Sequence, residues 1–214
     1  IGDHKLGYMA SASYKNETTF YKNRNDGAWV KNFENTSDND LKYVLDSRGS
    51  EGINTVLLNG LFGLTYKTDL SKYKFNVLHI QNGESTAGFF DQEISQDGVG
   101  GGIEPLVKNS LTYTERSITN IYIGGNHRFS DDPDALNFDW KFSPTFSKVM
   151  DKAHRITPLQ QADNGEFFVS PSATTYPIQL WRDLIEENWN AKVDFNKTFE
   201  AFGNPAKLKF GGAY

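Results

Sequence analysis

The chain has 214 residues, a formal net charge of -5, no cysteine and a 14% share of aromatic residues. Mean hydropathy is -0.58, and the densest apolar stretch, Leu57 to Leu64, is broken by Asn59, Gly60 and Gly63. It falls far short of the roughly 18 apolar residues of a spanning helix, so a bundle of membrane helices is excluded. The acidic balance argues against nucleic acid as a partner. The missing cysteines remove disulfide scaffolds and thiolate sites, and the aromatic content argues against disorder.

The dominant periodicity is two, the signature of strands with unlike faces. In chain order, the first predicted strand, Lys5 to Tyr14, sets Leu6, Tyr8, Ala10, Ala12 and Tyr14 against Lys5, Gly7, Met9, Ser11 and Ser13. The second, Val56 to Lys67, sets Val56, Leu58, Phe62, Leu64 and Tyr66 against a mixed face. The third, Tyr73 to Ile80, and the fourth, Leu111 to Phe129, alternate less well. In the third, Leu78 and Ile80 share a face with Lys74 and Asn76. In the fourth, Glu115 sits on the face of Leu111, Tyr113, Ile121 and Ile123. The fifth, Phe138 to Ser147, opposes Phe138, Trp140, Phe142, Pro144 and Phe146 to Asp139, Lys141, Ser143, Thr145 and Ser147. Pro144 predicts a bulge or a strand end there, because it cannot donate to a ladder. The sixth, Asn188 to Phe199, is the clearest, and the seventh is Ala206 to Tyr214.

Long polar connections (Lys22 to Asn54, Asn82 to Asn109, Val149 to Tyr176) alternate with short ones (Asp69 to Lys72, Ser130 to Asn137, Glu200 to Pro205). Outer-membrane barrels have this asymmetry, with long extracellular loops and short periplasmic turns. In hydrocarbon every backbone polar group needs a partner within the protein, so only helices or closed barrels span it. Aromatics cluster near strand ends (Tyr66, Tyr73, Phe138, Trp140, Trp189, Tyr214), as interfacial girdles require. The pattern alone also fits a soluble antiparallel β-sandwich, a carbohydrate-binding module for instance, with one face in a core and one in water.

Five stretches resemble the barrel of TonB-dependent outer-membrane receptors of Bacteroidota, including SusC-like and carboxypeptidase-regulatory-like members. They are Gly2 to Thr18, Leu111 to Phe129, Phe138 to Gln160, Trp181 to Phe199 and Leu208 to Tyr214. The resemblance implies an all-β fold: an antiparallel transmembrane β-barrel segment, about seven strands of a barrel of about 22. Residues 1–214 would then be a partial barrel domain, with the signal peptide, plug and remaining strands elsewhere in a longer chain. It further implies a place in the bacterial outer membrane, contact with its lipid, and import of a nutrient ligand. Energy would come from the TonB–ExbB–ExbD system acting through the plug. A surface lipoprotein or other outer-membrane subunits are further expected partners. A receptor-like barrel serving as a structural subunit of a larger complex is an alternative that the sequence does not separate from an importer.

No pattern of catalytic chemistry stands out, and no enzyme activity, cofactor or metal is expected. His4, His79, His127 and His154 lack metal-ligand spacing. The glycine-rich run at Gly98 and Gly100 to Gly102 lacks the Lys-Ser/Thr of a phosphate loop. Asp38-Asn39-Asp40 and Asp131-Asp132-Pro133-Asp134 lack calcium-loop spacing and read as a solvated loop and a turn. Glu186 and Glu187 point to opposite faces of a strand and cannot form a close acid/base pair. Two sets of residues are candidates for function. Asp139, Lys141, Ser143, Thr145, Asn190, Lys192, Asp194 and Asn196 would face the lumen, touching the plug or lining the ligand path. Trp29, Phe33, Phe89, Phe90, Phe167 and Phe168 would stack on ligand from extracellular loops.

Overall fold

In the computed structural model, which describes residues 4–31, 41–94, 106–132, 134–169 and 176–214, the chain forms nine strands. They are β1 (Lys5–Asn25), β2 (Ala28–Lys31), β3 (Leu41–Lys67), β4 (Ser71–Ile94), β5 (Leu106–Arg128), β6 (Asn137–Gln161), β7 (Phe167–Phe168), β8 (Ile178–Ala201) and β9 (Asn204–Ala213). All belong to one antiparallel sheet in the order β1-β3-β4-β5-β6-β8-β9. Short β2 continues the line of β1 along β3, and β7 pairs the end of β6. The short connections β3–β4, β5–β6 and β8–β9 all lie at one end of the sheet, here called the turn end.

The seven predicted strands are all present, and most are longer than predicted. β1 runs to Asn25 rather than Tyr14, β3 begins at Leu41 rather than Val56, and β4 reaches Ile94 rather than Ile80. Most of each predicted long loop is therefore strand. The reason is physical: hydropathy alternates only where the two faces meet different surroundings, whereas the backbone ladder needs no alternation at all. Asp38-Asn39-Asp40 and Gly98 to Gly102 lie outside the described residues. Pro144 neither ends nor shifts its strand. It pairs with Trp189, and the β5–β6 ladder keeps one register from Asn120/Thr145 to Ile123/Phe142. The register shifts of that region fall instead at Tyr113/Thr114 and at Asp151/His154.

A sandwich needs two packed sheets, and among the described residues there is one sheet, whose strands touch only their neighbours within it. Phe90, Leu106, Val107 and Ala135 are the only buried hydrophobic side chains described, while Tyr8, Phe62, Val193 and Phe210 are exposed. The sheet is open, with β1 and β9 at its two edges.

Apart from Ala135 in the β5–β6 turn, the buried hydrophobic and charged side chains sit at the end away from the turns. Phe90 is opposite Gly49 and Lys108; its ring fills the space left by Gly88, and Gly49 lets the Phe89–Phe90 backbone approach closely. A Cβ at Gly49 would meet the carbonyl of Phe89 at 2.0 Å, and one at Gly88 would meet the Phe90 ring at 2.6 Å. The Lys108 ammonium lies 5.1 Å from the Phe90 ring centre and 3.3 Å from Asp26. Gln92 donates to buried Ser47, and Arg24 pairs with Glu51. At the turn end, Phe202 and Gly203 form the two-residue β8–β9 loop with φ of 53° and 77°. Positive φ at both positions is the type I′ requirement, which asparagine meets far better than phenylalanine.

Gly49→Ala should lower stability by about 1–3 kcal/mol, read as the midpoint of denaturant unfolding. Gly60→Ala, whose new methyl meets nothing within 4 Å, should change it by less than about 0.5 kcal/mol. Phe202→Asn should raise stability by about 0.5–1 kcal/mol in the same measurement, by relieving a bulky residue at positive φ.

Candidate functional site

Cross-strand partners share a face, so the register sorts the side chains into two surfaces. One surface is apolar. Tyr8, Leu64, Phe75, Ile123, Phe142 and Ala191 form a continuous row from β1 to β8, and Tyr214 closes it through paired backbone bonds to Ala191. The next row toward the turns reads Leu6, Tyr66, Tyr73, Gly125, Trp140, Val193 and Gly212. The row after that carries His127, Phe138, Phe195 and Phe210.

These two turn-side rows form an unbroken chain of rings. Centroids are 5.6 Å apart for His4–Tyr66, 6.4 Å for Tyr66–Tyr73, 5.0 Å for Tyr73–His127 and 6.0 Å for His127–Phe138. The chain continues at 4.7 Å for Phe138–Phe195 and 5.0 Å for Phe195–Phe210. Its polar atoms are partly satisfied within it: Tyr66 and His4 share a hydrogen bond of 2.7 Å, and the Trp140 indole donates to His127 at 2.9 Å. Gly125 makes room for that indole, since a Cβ there would lie 2.4 Å from Trp140 Nε1.

The apolar surface crosses the strands obliquely. On β1 it extends from Leu6 to Tyr14, mostly beyond Tyr8 on the side away from the turns. On β8 it runs from Trp189 to Phe195, mostly on the turn side of Ala191, with Glu187 already polar. Between these limits the band's centre slips by about three residues over the five steps from β1 to β8, roughly 0.6 residue per strand, which corresponds to strands tilted about 20° from the normal to the band. Charge returns to this surface past the band, where Glu115 pairs with Lys152 at 2.7 Å and accepts from Tyr113 at 2.7 Å.

The other surface is mainly polar. It brings together all eight predicted lumen residues: Asp139 is opposite Asp194, Lys141 opposite Lys192, Ser143 opposite Asn190, Thr145 opposite Asn188, and Asn196 opposite Asn137. Asn126 donates to Asp139 at 2.6 Å, and Lys192 pairs with Asp194 at 2.9 Å. Asn120, which sequence reasoning missed, ties β5 to β6 by donating to Ser143, Thr145 and the Pro144 carbonyl at 3.0, 2.8 and 3.3 Å. Two shallow hollows open on this surface. One lies among Lys72, Lys74, Tyr122, Asp139 and Lys141, the other among Asp139, Lys192, Asp194 and Lys209.

The predicted loop aromatics do not assemble. Trp29 is on β2, and Phe33 lies outside the described residues. Phe89 and Phe90 are on β4, not in a loop, and project to opposite faces, with Phe90 fully buried. Phe167 and Phe168 form two-residue β7. These positions were read as loop because the hydropathy around them does not alternate. The polar surface also aligns residues that no single strand brings together: Lys5, Lys67 and Lys72 in one row, with Lys74 beside them.

Asn120→Ala should destabilise the sheet by about 1–3 kcal/mol, because it removes donors shared by two strands. Asn120→Asp should do no better, since a carboxylate cannot donate; denaturant unfolding of both variants checks this. Comparison of the chain with protein-family models, curated proteins and solved structures gives no match.

Proposed function

We propose that this chain is part of the wall of a transmembrane β-barrel in a bacterial outer membrane, and that the barrel is a TonB-dependent receptor importing a nutrient ligand. The observation that carries the membrane reading is the apolar band: aromatic along its turn-side border, continuous across seven strands, and uncovered by any other protein layer among the described residues. An uncovered surface of this size is not stable in water, and lipid tails are the cover that needs no second protein layer.

Three further features support it. The oblique course of the band is what strands tilted in a wall give. The six long strands of the sheet have 21 to 27 residues, roughly twice what a tilted strand needs to cross hydrocarbon. The excess lies away from the turns, as in barrels with tall extracellular walls. The open edges at β1 and β9 call for further strands on both sides, because unpaired backbone groups are not tolerated in lipid. The choice of receptor family rests on the five sequence stretches that resemble it. On this reading the polar surface faces the lumen, and Asp139, Lys141, Ser143, Thr145, Asn190, Lys192, Asp194 and Asn196 border the route of the ligand.

The chain has no native cysteine, so single labels report cleanly. Fluorophores at Phe142→Cys and Val193→Cys should be quenched strongly by nitroxide-bearing lipids. Labels at Lys141→Cys and Asn190→Cys should be quenched instead by a water-soluble nitroxide. Equal behaviour of the two pairs, or a water-soluble particle that shields Phe142 and Val193 from lipid, would rule out the barrel. Loss of ligand uptake on deletion of TonB tests the importer.

A further inference from the structure

The β8–β9 hairpin outruns its neighbour. β6 pairs with β8 only as far as Asn137 opposite Asn196, whereas β8 and β9 stay paired down to Ala201 and Asn204. From Lys197 onward the hairpin is therefore two strands wide, and a two-stranded ribbon alone is marginal in water. Its register shows which backbone groups are spare. Ala191 and Tyr214 exchange both backbone bonds, and in an antiparallel ladder such pairs alternate with unbonded ones. Every second residue from Ala191 to Ala201 thus bonds to β9, while Thr198 and Glu200 turn N–H and C=O outward. Pro205, which has no N–H to donate, fits opposite Glu200 for that reason. Among the described residues nothing takes up these outward groups. Further strands beyond β1 and β9 would leave this edge as it is, because it faces the side from which β6 has already turned away.

The side chains around the edge are unsettled too. Phe199, Phe202 and Leu208 are exposed, Phe202 completely, and at a φ of 53° that a bulky residue adopts only at a cost. Lys197, Lys207 and Lys209 make no ion pair or hydrogen bond among the described residues. Glu200 is the one carboxylate among them, in a chain whose net charge is -5. Lipid does not reach the tip. Between Phe195, at the border of the band, and Ala201 the strand rises roughly 20 Å, whereas the headgroup layer is roughly 5–8 Å deep.

We infer that the outward edge of β8 at residues 197–201 is a docking site for an extended, acidic polypeptide segment of a second protein, which adds to the hairpin as a third strand. Strand addition supplies the backbone partners that Thr198 and Glu200 lack. Lys197 and Lys207, one on each face of the hairpin, meet carboxylates of the segment, and its apolar side chains cover Phe199 and Phe202. A strained ring kept at a fully exposed tip then has a reason: stability is given up for contact. The inference rests on the barrel reading, which sets the turn end in the periplasm.

The test compares the full-length protein in isolated cell envelopes with the same protein alone in vesicles of lipid extracted from them. Hydrogen exchange, read by fragment mass spectrometry, should be about tenfold slower at the Thr198 and Glu200 amides in envelopes than in vesicles. Thr198→Pro removes an outward N–H and spares the β9 ladder, so it should abolish the slowing at Glu200, while Thr198→Val keeps it. Changing Lys197 and Lys207 together to Gln should reduce the slowing without touching the backbone, and so should Phe202→Asn, although it relaxes the turn. A carbodiimide, which joins ammonium to carboxylate at zero length, should link Lys197 or Lys207 to Asp or Glu of another chain in the parent and in Thr198→Val, but not in Thr198→Pro. Edge amides that exchange equally fast in envelopes and vesicles would overturn the inference, as would slowing that survives Thr198→Pro. Lipid quenching at Phe142→Cys and Val193→Cys in the same envelopes separates the two failures: quenched labels with fast edge amides sink the docking site and leave the barrel standing.

Discussion

Everything in this fold follows from a backbone that satisfies itself sideways. Each long strand hydrogen-bonds to its neighbours, so the main chain is satisfied within one layer except along the outer edges of β1, β8 and β9. The side chains are not: two broad faces emerge from the sheet, and among the described residues no second layer covers either. A domain of this length ordinarily buries a core of many apolar residues, whereas here Phe90, Leu106, Val107 and Ala135 are the buried apolar side chains among those described. Hydrophobic stabilisation must therefore come from whatever lies against the faces. That constraint is what makes the chemistry of each face a statement about its surroundings.

The apolar face describes surroundings that are uniform along the band. Row after row carries Tyr, Leu, Phe, Ile or Val without an acidic or basic interruption from Leu6 to Tyr14 on β1 and from Phe138 to Phe146 on β6. The rings at its turn-side border contact one another across the strands, each pair contributing about 0.5–1.5 kcal/mol beyond its buried area. Tyr66, His127 and Trp140 keep polar atoms at that border, as side chains do where an apolar phase meets water. Geometry adds an independent argument. A band produced only by strand register would follow the hydrogen-bonded rows, yet this one drifts across them by about three residues between β1 and β8.

Much of this was legible in the sequence, and the parts that were not share one cause. The faces of β6 and β8 could be read residue by residue because Phe138 to Phe146 and Trp189 to Phe199 alternate strongly. The eight polar residues opposite them could be placed on one surface for the same reason. Past the band, both faces of a strand meet water, alternation fades, and β4 beyond Ile80 or β1 beyond Tyr14 looked like loop. Phe89 and Phe90 were misplaced by that fading signal. Asn120, the Lys5–Lys67–Lys72 row and the Phe90 pocket over Gly49 depend on which residues of distant strands meet. No pattern within a single strand carries that information, because register between strands is fixed by the whole ladder.

The polar face obeys a different rule from the apolar one, and the contrast bears on what fills the space behind it. A face against bulk water has no reason to be patterned, and exposed lysines ordinarily spread out. Here like charges are aligned across three strands, Asn76 separates Lys74 from an apolar island at Leu61, Leu78, Ile80 and Ile118, and Asn120, Ser143 and Asn190 carry amides and hydroxyls on the neighbouring strands. Farther along the sheet the lysines are interleaved with Asp139 and Asp194, so the imbalance is local to β1, β3 and β4. The two faces are therefore held differently: the apolar band by ring contacts across the strands, the polar surface by the amides of Asn120 and Asn126, which tie β5 to β6.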